Sequence, residues 1–247
     1  MTSVESNQIR EPKYYIVKRH LLELIGPLPP GSVIPTERDL ASAMATSRTT
    51  VRQALGDLVG EGRLVRRQGA GTFIAEPKVS WPLYLAGFTE QAAANGFAAT
   101  TQLISAARVR ATDEVAARLD LADGRLAVRI ERLRLADGSP IAVETSYLSA
   151  SRFPGLARLI RSHDSLYALL RERFNVVPAR AAELISTLPA SPREAALLGT
   201  DTGAPMLVLG RHSRDATGAP LEWVTSWYRG DRVTFVADLP AAPTEFA

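Results

Sequence analysis

Apolar positions Val17, Leu21, Leu24 and Ile25 recur at helical spacing, which predicts a first helix over residues 14–25 with these four facing inward. The stretch Gly26-Pro-Leu-Pro-Pro-Gly31 cannot continue it and reads as a loop. Thr36 is placed to cap a second helix, with Glu37 and Asp39 in its first turn and Leu40 and Met44 buried. After a turn at Ala45-Thr46, a third helix capped by Thr46 or Ser47 buries Val51, Leu55, Leu58 and Val59 and ends at Gly60-Glu-Gly62. Two short runs, 63–67 and 72–75, flank the glycine-rich tip Gln68-Gly-Ala-Gly71 and predict a hairpin. Three helices with a hairpin make a winged helix-turn-helix.

Beyond residue 83 the period changes. Alternating apolar runs predict strands over 101–108, 127–135, 141–148, 181–188, 206–212 and 221–228. Asp137-Gly138 and the run Thr217-Gly-Ala-Pro220 supply hairpin turns. Helical spacing predicts short helices over 89–94, 113–119, 165–174 and 192–198. The economical fold class is α+β: a winged helix-turn-helix over 9–76, a linker over 77–83, and a mainly antiparallel sheet with packed helices over 84–243.

Charge sharpens this division. Residues 1–78 hold 11 Lys+Arg against 8 Asp+Glu, whereas residues 79–247 hold 18 of each. The cationic excess of +3 therefore sits wholly in the segment with the two-helix motif, where it suits a nucleic acid. In the third helix Arg48, Thr49 and Arg52 face outward, as base-edge and phosphate contacts in a major groove require. Arg38 and Arg48 are the candidate base readers, because a guanidinium can donate twice to guanine. Ser47, Thr49, Thr50 and Arg52 are candidates for phosphates. Gln68 and Gly69 sit at the wing tip.

In the second segment Arg132 and Arg134 lie two apart on one predicted strand and so share a face, with Leu133 and Leu135 on the other. Two neighbouring guanidinium groups repel unless carboxylates or an anion lie between them. Glu144 and Glu222 are candidate acceptors for hydroxyls, with Tyr228 alongside. Phe88 and Thr89 open a helix, and Ser165 and Tyr167 offer hydroxyl donors.

The residues also carry a family likeness. Pro35-Thr-Glu-Arg-Asp-Leu-Ala41, the run from Ser47 to Leu55, Glu61-Gly62 and the run from Arg67 to Phe73 resemble the DNA-binding domain of the GntR family of bacterial transcription regulators. Phe88-Thr-Glu90, the run from Glu131 to Gly138, Glu144, Ser165-Leu-Tyr167 and the run from Tyr228 to Arg232 resemble the UTRA effector domain of its HutC branch, a chorismate-lyase-like fold. Within that branch the likeness is to regulators of aminosugar metabolism.

The resemblance implies a homodimeric repressor on a palindromic operator in double-stranded DNA. It implies an effector such as N-acetylglucosamine-6-phosphate or glucosamine-6-phosphate, with phosphate on Arg132, Arg134, Ser165, Tyr167 and the Phe88-Thr89 amides. It also implies a minor-groove role for Gly69 and its neighbours. A different small acidic or sugar effector, or an enzyme acting on a small anion, are the alternatives.

Other chemistries find little support. There are no cysteines, so disulfides and Cys-ligated metal sites are excluded. His20, His163 and His212 lack metal-ligand spacing, and neither a nucleophile elbow nor a P-loop occurs. Nothing pairs Glu144 and Glu222 as glycosidase acid and base. No cofactor, catalytic group, secretory signal or membrane span is expected, and a cytoplasmic address fits.

Overall fold

The structure, a computed structural model, describes residues 11–67, 69–121 and 125–239. The chain divides into two compact units, Met1–Lys78 and Val79–Ala247.

The first unit contains helices α1 (Lys13–Ile25), α2 (Glu37–Ala43) and α3 (Arg48–Gly60), followed by strands β1 (Leu64–Arg67) and β2 (Gly71–Ile74). Thr36 Oγ1 accepts from Asp39 N at 3.3 Å and Ser47 Oγ accepts from Thr50 N at 3.1 Å, so α2 and α3 start at hydroxyl caps. Leu21, Leu40, Val51, Leu55, Leu58 and Leu64 form the core, fixing α3 with one face inward. Leu24 departs from expectation and stays exposed, because Val17, Leu21 and Ile25 fill the buried seam and Leu24 lies on its flank. The antiparallel β1–β2 pair, Leu64 opposite Ile74, is the wing. Gln68 lies outside the described residues.

The second unit is built on a six-stranded sheet. Its strands are β4 (Ala99–Arg110), β5 (Leu126–Ala136), β6 (Ser139–Ser149), β7 (Arg180–Pro189), β8 (Pro205–Arg214) and β9 (Pro220–Arg229). They are ordered β4-β5-β6-β9-β8-β7, and every neighbouring pair is antiparallel. All six occupy the runs expected from alternation. Asp137 and Gly138 join β5 to β6 with φ of 48° and 76°, the double left-handed turn that matches strand twist.

Helices cover both faces. α4 (Phe88–Ala94), α6 (Leu156–Leu159) with a 3-10 turn at Ile160–Ser162, and α7 (Leu166–Phe174) pack on one side with Val128, Ile130 and Tyr228. α5 (Asp113–Arg118) and α8 (Pro192–Leu198) pack on the other, against Ala127 and against Leu133 and Leu135.

The stretch expected as linker is different. Val79–Pro82 forms a strand, β3, parallel to β10 (Val233–Val236). Its outer hydrogen bonds, Val79 N to Arg232 O and Leu83 N to Val236 O, are each 2.8 Å. The cause is apolar: Val79 and Trp81 alternate onto a buried face, and Trp81 is 1% exposed. The second unit thus begins at residue 79 rather than 84. Neither β3, β10 nor α6 was expected, since four-residue elements carry too little periodicity to read.

Candidate functional site

Strand alternation places a polar row across the sheet face under α4 and α7. β5 contributes Arg132 and Arg134, β6 Glu144, β9 Glu222, Ser226 and Tyr228, β8 Arg211, and β7 Glu183. Together with the segment 81–91 and the start of α7 they line a cleft open to solvent. The cleft belongs wholly to the second unit. All nine expected effector residues line it: Phe88, Thr89, Arg132, Arg134, Glu144, Ser165, Tyr167, Glu222 and Tyr228.

Two cations dominate its floor. Arg132 and Arg134 are each 3% exposed. Both donate to one atom, Glu144 Oε1: Arg134 Nη2 at 2.6 Å and Arg132 Nη2 more closely still. Arg134 Nη1 also donates to Thr101 Oγ1 at 2.7 Å. Arg132 Nε and Nη1 and Arg134 Nε are buried without a hydrogen-bond partner. Unmet buried donors on a charged group are costly, and an acceptor such as an anion would satisfy them. Burial pushes the Arg132 guanidinium down, reinforced by Arg134 and partly offset by Glu144 and Glu222. Guanidinium basicity leaves ample margin, so Arg132 remains cationic.

The two carboxyls are shifted in opposite directions. Burial alone would raise Glu144, but Arg134 and Arg132 outweigh it and hold the group at about 2. Glu222 is shifted the opposite way, raised by burial and by the nearby charge of Glu144. Tyr167 Oη donates to Glu222 Oε2 at 2.9 Å and lies 3.2 Å from Ser213 Oγ. Its phenol is raised by burial and by Glu222, so it stays a neutral donor. Glu144 was expected to face sugar hydroxyls; in this structure it is the counter-charge of both arginines. Ser165 Oγ accepts from Ala168 N at 3.1 Å as the cap of α7.

Several lining residues were not anticipated. Arg211 donates to Glu183 Oε1 from Nε at 3.1 Å and to Ala86 O from Nη1 at 3.3 Å. It thereby pins the segment before α4. A charge between Leu209 and Ser213 was the available signal, but its partner lies on another strand. Trp81 stacks on Phe88, centroids 5.1 Å apart, and the Arg134 guanidinium sits over the Phe88 ring, 4.8 Å from its centroid. Trp81 Nε1 also donates to Gln91 Oε1. The chain just after the first unit is therefore the wall of the cleft.

In the first unit Arg38, Arg48, Thr49, Arg52 and Gly69 are exposed. Ser47 is exposed too, but Ser47 and Thr50 are engaged with each other, 2.8 Å apart, besides capping α3. Among the described residues no helix is long and apolar enough to cross a membrane, and no cluster suits a metal.

A winged reader and a charged small-molecule cleft in one chain define a ligand-responsive DNA-binding regulator. Comparison with known proteins agrees. Residues 14–74 match the model of bacterial regulatory proteins of the gntR family, and residues 94–234 match the UTRA domain. The transcriptional repressor PhnF of Mycolicibacterium smegmatis is 37% identical, across 93% of this chain and 93% of its own. Its crystal structure superposes with a TM-score of 0.65 at 36% identity, covering 92% of this chain and all (100%) of that one. The repressor NagR of Bacillus subtilis is 38% identical across 91% of this chain and 93% of its own. A probable fructoselysine utilization operon repressor of Escherichia coli K12 is 29% identical across 91% and 93%. The chain belongs to the GntR family, in the branch whose sensor is a UTRA domain. It is a ligand-responsive transcription repressor, of a regulator family rather than an enzyme family.

Proposed function

We propose that the effector is a phosphorylated aminosugar, N-acetylglucosamine-6-phosphate or glucosamine-6-phosphate. The observation that carries this is the buried Arg132–Arg134 pair, which shares a single carboxylate oxygen and retains three donor nitrogens without a partner. Phosphate offers several acceptor oxygens to such donors, and charge-assisted bonds are about twice as strong as neutral ones. Ser165, Tyr167, Phe88 and Thr89 stand around the same cleft. Glu222 and Tyr228 supply the acceptor and donor that sugar hydroxyls need, while Glu144 holds the two arginines. The resemblance to aminosugar regulators favours this effector among small anions.

The repressor works in the cytoplasm as a homodimer on a palindromic operator, since one winged helix reads only a half-site. Arg38 and Arg48 read base edges; Ser47, Thr49, Thr50 and Arg52 hold phosphates; Gly69, with Gln68, brings the wing tip to the minor groove. β7 supports self-association: it is an edge strand with Leu184, 72% exposed, beside exposed Ile185 and Leu188. Ligand reaches DNA binding through the segment 81–91, which lines the cleft immediately after the first unit.

Thermal-shift titration with both sugar phosphates, the free sugars and inorganic phosphate tests the effector. The 6-phosphates should stabilise the protein far more than the free sugars, and Arg132→Ala with Arg134→Ala should abolish the response while sparing DNA binding. Equal response to phosphorylated and free sugars would refute the phosphate assignment.

A further inference from the structure

Four exposed arginines of the DNA-binding unit, Arg38, Arg48, Arg52 and Arg66, fall into two pairs. Among the described residues Arg48 makes no ion pair, and the Arg38 side chain is 83% exposed with only Asp39 near it, at 3.7 Å. Arg52 and Arg66 are different. Both turn to Glu37, the first residue of α2: Arg52 Nε donates to Oε2 at 3.1 Å, and Arg66 Nη2 lies 3.8 Å from Oε1. One carboxylate thus joins α2, the reading helix α3 and the wing strand β1. Its own side chain is 26% exposed, so the cluster is partly shielded and partly open to solvent. Thr36 provides the cap of α2, so Glu37 is not needed for that.

We infer that Glu37 is a positioning residue for DNA recognition, presetting Arg52 and Arg66 as one phosphate-gripping unit and withholding both from loosely placed phosphates. This rests on the reading of α3 and the wing as the DNA-facing surface. The physical reason is competition. A half-exposed ion pair is weak enough for a well-aligned phosphate to displace it. A phosphate at the wrong distance meets two guanidinium groups already neutralised and a carboxylate that repels it. Non-specific binding, which is almost wholly electrostatic, should lose more from this than specific binding does. Glu37 therefore raises the ratio of specific to non-specific affinity.

The test uses the full chain and two probes: a duplex enriched by the wild-type protein from a random pool, and a random-sequence duplex of equal length. Glu37→Gln should tighten the random duplex about three- to tenfold and leave the enriched one within about twofold. Its log K against log salt should steepen by about one for the random duplex, the slope of one further phosphate contact. In the Arg52→Ala with Arg66→Ala background Glu37→Gln should add nothing. Glu61→Gln removes the same charge elsewhere in the unit, where it pairs with Lys18, and should leave the ratio unchanged. A wild-type ratio and slope in Glu37→Gln, equal weakening on both duplexes, or an undiminished effect without the two arginines would overturn the inference. If Arg48→Ala and Arg52→Ala weaken neither duplex, the DNA-facing surface itself is misassigned, and this inference falls with it. A thermal unfolding midpoint for each variant confirms that the unit is folded.

Discussion

Two buried arginines and one shared glutamate set the chemistry of the cleft. Such a triad contributes little net stability, since desolvation offsets attraction, but breaking it leaves charges buried and unmatched. Glu144→Gln should accordingly lower unfolding free energy by about 3–5 kcal/mol, read by denaturant titration. Glu222 gives a pH signature. Burial and Glu144 raise its carboxyl above the ordinary value of 4.5. A group raised on folding contributes stability that is complete below the ordinary value and lost as pH climbs through the raised one. Thermal unfolding of the ligand-free protein should show wild type losing stability from about pH 4.5 upward relative to Glu222→Gln, a difference absent if Glu222 titrates normally. On the reading helix, Arg48→Ala should cost roughly 1–3 kcal/mol on the selected duplex and relax base preference. Full retention of affinity and preference would remove Arg48 from the reading surface.

At the scale of elements, local signals were strong where a turn or cap had a chemical requirement. Ser47 and Thr36 cap helices because a hydroxyl must meet free N–H groups. Asp137-Gly138 turns because both residues accept a left-handed backbone. Ser47→Ala should destabilise the first unit by about 0.5–2 kcal/mol in thermal or denaturant unfolding. β3 shows the opposite case. Its four residues, preceded by Pro77 and ending in Pro82, look like linker, and only pairing with β10, over 150 positions away, makes them a strand. Trp81→Ala should cost about 3–5 kcal/mol in unfolding of the second unit and blunt ligand-induced stabilisation, because Trp81 also backs Phe88. A cost typical of an exposed residue would mean that β3 is dispensable to the cleft wall.

At the scale of the whole molecule, the proposed dimer and its coupling to ligand are testable together. Residues 79–247 should sediment as a dimer at micromolar concentration, and Leu184→Glu should shift the full chain toward monomer by placing charge on the β7 edge. An unshifted distribution would move the contact away from β7. Saturating effector should change affinity for the selected duplex in wild type, since a ligand acts only through its differential affinity for two states. The same affinity with and without effector would show that the segment 81–91 carries no signal.

Sequence alone determined the winged helix-turn-helix, the six long strands, most helices and the family, because caps, turns and periodicity are local requirements of the backbone. It also named the nine effector candidates, though partly by resemblance rather than by derivation. What it could not supply was distance. That Arg132 and Arg134 meet on one oxygen of Glu144, that Arg211 pins Ala86 from beside Glu183, and that Glu37 bridges helix and wing were decided only by tertiary structure. The reason is that strand register and helix packing bring together residues whose separation along the chain carries no trace of their contact.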